Sequence, residues 1–188
     1  MKFEINLPDD VQEIMSVIKG YGVTSYVVGG CVRDSILERK PHDWDICTPA
    51  LACELLVEFE EEGYRVIPTG LQHGTITVHL NGNNYEITTF RRDGQYSDGR
   101  HPDSVEFTSD LIYDLERRDF TINAMAYNPE EGLIDPFNGC RDVQNRTIRC
   151  VEDPNERFRE DGLRILRALR FAVQLNFSID SLTEEAMF

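Results

Sequence analysis

Between Pro8 and Gly22 apolar residues recur at Val11, Ile14, Met15, Val17 and Ile18, close to the helical period, and two glycines close the run. That spacing predicts a first helix. "TSYVVGG" reads as a buried strand ending in a glycine turn, "CVRDSILER" as a helix leaving that turn, and "HDWDICT" as a short second strand. "LACELLVEFEEEGY" is a helix stopped by Gly63. "TITVHLNGNNYEITTF" alternates, turns on Asn-Gly type residues and alternates again, which predicts a hairpin. The Arg91 to Val105 stretch is aperiodic and rich in Gly, Asp and Arg, so a mobile loop is expected.

Beyond the loop, residues 111–128 are expected to be helical in parts, and residues 132–151 to give a strand, a turn and a second strand. "DPNERFREDGLRILRALRFAVQL" predicts one strong helix. Its Leu163, Leu166 and Leu169 would anchor it along one stripe, beside a polar track of Asp161, Arg164, Arg167 and Arg170. The order of elements gives an α+β fold with a mixed sheet, a head over residues 1–150 and the beginning of a helical region over 151–188.

Composition narrows the class. Of 188 residues 40% are hydrophobic and ten are phenylalanine, enough for a real core. No apolar run reaches the roughly 18–20 residues needed to span a bilayer. "MKFEINLPDD" shows no basic segment before an apolar one, so no signal peptide and a cytoplasmic location are expected. The five cysteines include no Cys-x-x-Cys, and the four histidines do not complete a zinc spacing. Reduced, mostly buried thiols are expected. A formal net charge of −15 disfavours a partner bound by bulk positive field. Yet Arg157, Arg159, Arg164, Arg167 and Arg170 fall within one short stretch, so a local polyanion site stays open.

Candidate chemistry begins with Gly29-Gly30, Arg33 and Asp43-Trp44-Asp45. On a strand, residues i and i+2 share a face, so Asp43 and Asp45 would project together. Paired carboxylates repel unless a cation joins them, and two hard oxygen ligands plus phosphates suit magnesium. A solvated Asp-x-Asp at a strand end is the plain alternative. Gly29-Gly30 would bring backbone N–H groups close to a phosphate, with Arg33 in reach of the same anion. The same glycines could serve only as a tight turn. Glu86 stands between Tyr85 and Ile87 on the second hairpin strand, either joining the metal site or facing solvent.

"VVGGCVRD", "DWDI", "ERRDFTINAMA", "IDPFNGCRD" and "REDGLRILRALRFA", in that order from Tyr26 to Phe171, resemble the successive motifs of the class II CCA-adding enzymes. Those tRNA nucleotidyltransferases belong to the DNA polymerase β-like superfamily, together with the bacterial poly(A) polymerases. The resemblance implies a polymerase β-like head followed by the start of an all-helical neck. It implies that Asp43 and Asp45 hold magnesium, with Glu86 as the strand carboxylate. Gly29, Gly30, Arg33 and Arg118 would contact nucleotide, with Asp119 and Asn123 shaping that pocket. Asp161 and Arg164 would read the incoming base, with Arg167 and Arg170 completing the set; a carboxylate beside a guanidinium offers the acceptor and donors that a base edge requires.

The implied activity is template-independent addition of CCA to a tRNA 3′ end from CTP and ATP, releasing pyrophosphate, with neither membrane nor DNA as partner. An A-adding enzyme or a poly(A) polymerase is the near alternative, and a non-catalytic nucleotide- or RNA-binding module the distant one. "GLQHGT" follows the CCA-adding pattern, and retention of the 91–105 loop disfavours a CC-only enzyme. Glu38 stands where the family often has glycine, at a helix end. Against the family layout of head, neck, body and tail the sequence stops inside the neck. Most of the RNA-binding surface is therefore expected to lie outside it, and weak or no activity on tRNA from this chain alone.

Overall fold

Val27 and Val28 point to opposite faces of one strand, and both are fully buried. A strand covered on both faces needs packing layers above and below the sheet. The computed structural model describes residues 3–188; Met1 and Lys2, which open the stretch read for a leader, lie outside the described residues. In chain order the elements are α1 (Asp9–Gly20), β1 (Tyr26–Val28), α2 (Gly30–Ile36), β2 (Asp45–Thr48), α3 (Ala52–Glu61), β3 (Arg65–Gly70), β4 (Thr75–Leu80) and β5 (Asn83–Thr89). There follow β6 (Arg91–Asp93), β7 (Val105–Phe107), α4 (Leu111–Glu116), a 3-10 turn (Thr121–Asn123), β8 (Ala126–Asn128), β9 (Gly132–Ile134) and α5 (Gly139–Gln144). The chain closes with β10 (Thr147–Ile148), α6 (Pro154–Glu160), α7 (Leu163–Leu175), β11 (Ser178–Ile179) and α8 (Ser181–Glu185).

The main sheet has the order β3-β4-β5-β2-β1-β8-β9. Only β2 and β5 run parallel; the other neighbouring pairs are antiparallel, so the sheet is mixed and the fold α+β. Alternation sorts side chains between two layers. Val27, Ile46, Ile76, Val78 and Ile87 turn to the face covered by α1, α2 and α3. Tyr26, Val28, Cys47 and Ala126 turn to the other face, where Phe90, Leu111, Leu115 and Val151 cover them.

Three expectations need correction. The single helix expected from Asp153 is two helices, because Asp161 leaves the helical region (φ −144°, ψ 104°) and its carboxylate accepts the Leu163 N–H at 2.9 Å. Residues 164, 168, 171 and 175, spaced by four, three and four, face the head, while Leu163, Leu166 and Leu169 are exposed, Leu166 by 63%. The leucine stripe is therefore exposed among the described residues and does not anchor α7 to the head.

The expected loop after Arg91 opens and closes as the β6–β7 hairpin, pairing Arg91 with Phe107. Its tip folds back on the α6–α7 break, where Gly99 O accepts the Gly162 N–H at 3.1 Å. Finally, the turn expected between the last two strands contains α5. Asp135 accepts the N–H groups of Gly139 (2.6 Å) and Cys140 (2.9 Å), which supplies the missing partners of a helix start. Edge strand β3 and the parallel β10–β11 pair were not anticipated. Phe158, Ala168, Leu175 and Phe177 join the same core as Val27, so packing runs continuously across residue 150.

Candidate functional site

The site is assembled around the end of β1. Gly29 adopts φ 81°, ψ −127°, a region that glycine alone enters without strain. Its N–H donates to Met125 O (3.1 Å), and its carbonyl accepts the Arg33 N–H (3.1 Å) as α2 begins. A side chain here would meet the Arg118 guanidinium, since a Cβ on Gly29 would lie 3.2 Å from Arg118 Nη1; a Cβ on Gly30 would lie 3.6 Å from Arg33 Nη2. Two guanidinium groups thus flank the two glycines.

Asp45, the first residue of β2, is registered opposite Val28, immediately before Gly29. On its other side the parallel register pairs Ile46 with Ile87, which sets Asp45 beside Glu86. The Asp45 carboxyl is raised above its ordinary value by partial loss of hydration among the surrounding strands and by the Glu86 and Asp43 charges, with Arg118 pulling the other way. Asp43 lies two residues before the strand begins, so strand alternation does not aim it. Its side chain is 83% exposed, with Oδ1 3.1 Å from His42 Nδ1. Among the described residues no three His, Cys, Asp or Glu side chains are gathered to hold a metal ion. Asp43 and Glu86 lie near enough for their charges to act on Asp45, so the three carboxylates share one negative field.

Arg118, which follows α4, reaches this field from below the sheet. Its Nη2 donates to Asp114 Oδ2 at 3.1 Å, and its Nε is buried without a partner. Asp114 is fully buried and also accepts from Arg117 Nη2 (2.8 Å) and Nε (3.1 Å). Burial pushes its carboxyl up, but the two guanidinium groups outweigh burial and hold it below its ordinary value.

A second, continuous set of contacts joins α2 to α7. Arg33 is buried; its Nε donates to Asp34 Oδ1 (2.9 Å) and its Nη1 to Asn123 Oδ1 (2.6 Å). Asn123 Nδ2 donates to Asp119 Oδ1 at 3.2 Å. Asp119 Oδ2 then accepts from Arg167 Nε (2.7 Å) and Nη2 (2.6 Å). Arg33 and Arg167 both lie against the Phe171 ring, 5.2 and 5.3 Å from its centre.

The remaining expected residues are differently employed. Asp161 and Arg164 are not paired: Asp161 caps α7, while Arg164 is buried, donating through Nη1 to Glu160 Oε2 (2.6 Å) and through Nη2 to Arg117 O (3.1 Å). The polar track expected along one helix is thus divided among three neighbours, and Arg170 is exposed on α7. The residue reading missed Asp114, Glu160 and Phe171. Asp114 precedes Arg117 and Arg118 by three and four positions, and Glu160 precedes Arg164 by four, a helical pairing signal that was available. Nothing in the sequence marked Phe171 as shared by two arginines.

All five cysteines are free, with Cys31, Cys47 and Cys150 buried. Burial and the nearby Asp45 charge push the Cys31 thiol up to about 12, so it is an inert neighbour of the site. No helix among the described residues is long and apolar enough to cross a membrane.

Comparison with known proteins places this arrangement. Residues 25–149 match the family model described as the poly A polymerase head domain. The CCA-adding enzyme of Staphylococcus epidermidis is 49% identical over 179 residues, covering 95% of this chain and 44% of the relative. Among solved structures, the Bacillus stearothermophilus CCA-adding enzyme in complex with CTP matches with TM-score 0.85 at 40% identity, covering 96% of this chain and 43% of that one. A tRNA nucleotidyltransferase complexed with a primer tRNA and an incoming ATP analog matches with TM-score 0.75 at 37% identity, covering 93% and 48%. The chain spans less than half the length of the curated relatives it matches.

Proposed function

Because the chain belongs to the poly A polymerase head-domain family, we propose that it is the nucleotidyl-transfer portion of a CCA-adding enzyme. It would use CTP and ATP to extend a tRNA 3′ end and release pyrophosphate. In this reading residues 1–150 are the head and 151–188 the beginning of a helical neck, in a cytoplasmic protein. The observation that carries the reading is the placement of Asp45 between the end of β1, at Val28 before the Gly29 turn, and the β5 strand that carries Glu86, with Arg118 beside the turn.

Each group then has a task. The Gly29-Gly30 turn leaves room for a polyphosphate, and Arg33 and Arg118 supply positive charge beside it. Asp43 and Asp45 suit a hard cation by their carboxylate oxygens, with substrate phosphates completing its shell; the cation proposed is magnesium. Bound there, magnesium would lower the pKa of the attacking hydroxyl and neutralise charge on the phosphates. Asp119 and Asn123 hold the pocket wall, and Arg167 and Arg170 present charge from α7. Base choice by Asp161 and Arg164 requires Arg164 to leave Glu160, since in the observed arrangement its donors are engaged.

The test is magnesium-dependent binding of CTP, ATP, UTP and GTP to this chain, by calorimetry. Binding of CTP and ATP alone supports the proposal. ATP alone replaces it with an A-adding enzyme or a poly(A) polymerase, and binding of none withdraws it for this chain. In the longer enzyme Asp43→Ala is expected to abolish turnover while the circular dichroism spectrum stays unchanged.

A further inference from the structure

We propose that Phe171 is a positioning residue that holds the guanidinium groups of Arg33 and Arg167 at the nucleotide site without neutralising them. The inference rests on the nucleotide-binding reading above and adds to it a residue that reading does not use.

The geometry is specific. Arg33 comes from α2, at the Gly29-Gly30 turn, and Arg167 from α7, yet both lie within 5.3 Å of one ring centre. Phe120, fully buried, meets the same ring edge-on, with centroids 6.0 Å apart and planes at 88°. That contact fixes the ring plane from behind, leaving Phe171 half-buried and available to both arginines.

Two like charges this close to one point repel, and a second carboxylate would cancel the field that an incoming polyphosphate needs. An aromatic ring attracts cations through its quadrupole and carries no net charge. Phe171 thus holds both guanidinium groups without adding negative charge to that of Asp34 and Asp119, which already pair with them. Each guanidinium keeps one carboxylate partner, Asp34 on Arg33 and Asp119 on Arg167. Asn123 and Asp119 close the loop of contacts between the two arginines. The ring also ties α2 to α7, so displacement of either helix moves the other helix's arginine.

The experiment compares wild type, Phe171→Leu and Phe171→Tyr in this chain, measuring CTP affinity with magnesium, unfolding midpoint and the arginine Nε–H resonances. In wild type the Arg33 and Arg167 Nε–H signals should be displaced by the ring current. In Phe171→Leu, which keeps apolar bulk, they should return to ordinary positions and Kd should rise about 3–10-fold. Phe171→Tyr, which keeps the π face, should bind within about twofold of wild type. Wild-type affinity in Phe171→Leu overturns the proposal, as does loss of affinity in the tyrosine variant equal to that in the leucine variant. Wild-type protein that binds no CTP refutes the nucleotide-site reading instead; ring-current shifts then decide alone whether Phe171 positions the two arginines. Their absence in wild type overturns the proposal.

Discussion

Asp119 Oδ2 receives both Nε and Nη2 of Arg167, at 2.7 and 2.6 Å, and this fork joins the segment after α4 to the middle of α7. The carboxylate side chain is 7% exposed and the arginine 49%, so the pair is desolvated on one side only. Asp119→Ala is expected to cost about 1–3 kcal/mol in urea unfolding, because Arg167 can rehydrate while Asn123 loses its acceptor. A double-mutant cycle with Arg167→Ala should show coupling of at least about 0.5 kcal/mol. Additive losses would mean that the two side chains do not act as a pair.

Asp114→Asn should be the most damaging polar substitution in the protein. It leaves Arg117 and Arg118 beside a buried neutral group, a loss of about 3 kcal/mol or more. The pH sign follows from the depressed carboxyl. Its stabilisation is fully present above the unfolded value near 3.8 and is lost as pH falls through the lower folded value. Between those two values the unfolding free energy should therefore fall less steeply with acid in Asp114→Asn than in wild type.

Glu38 sits at φ 56°, in the left-handed region, just past the end of α2. Glycine enters that region without the Cβ conflict, which makes Glu38→Gly stabilising despite the extra freedom it gives the unfolded chain. A gain of about 0.5–1 kcal/mol in thermal or urea unfolding is expected, with nucleotide binding unchanged. A loss of stability would show that the Glu38 side chain makes a compensating contribution.

Gly139 opens α5 against the 3-10 turn that carries Asn123. A Cβ there would collide with the Thr121 carbonyl oxygen, which is backbone and cannot swing aside, and would press Met125 Cγ at 2.8 Å. Gly139→Ala should cost about 2 kcal/mol or more and weaken CTP binding by shifting Asn123 away from Arg33. Calorimetry and urea unfolding on the same sample separate the two effects.

A carboxylate raised above its ordinary value by its neighbours should show as a gain when its charge is removed. Asp45 is raised by lost hydration, Glu86 and Asp43, so its cost to folding sets in as pH rises above the unfolded value of 3.8 and is complete once pH passes the raised folded value. Asp45→Asn should slightly raise the melting temperature at pH 7 in a chelator and abolish magnesium-dependent nucleotide binding. An unchanged melting temperature would mean that solvent already screens the three charges.

The sequence by itself determined the elements with strong periodicity and the family. The α1 stripe, the β4–β5 hairpin and the strand–Gly-Gly–helix unit follow from local side-chain spacing and backbone freedom, which require no distant partner. The motif order likewise carried the family. Tertiary structure decided where charge is spent. Arg164 could not be seen as engaged by Glu160, nor Arg33 as tied to Asn123 ninety positions away, because a guanidinium takes whatever acceptor packing delivers to it. Packing also decided which face of α7 is buried: Ala168, Phe171 and Leu175 meet the core, and Leu163, Leu166 and Leu169 do not. Local propensity chooses a conformation for each stretch of chain; only the folded arrangement chooses partners for its charges.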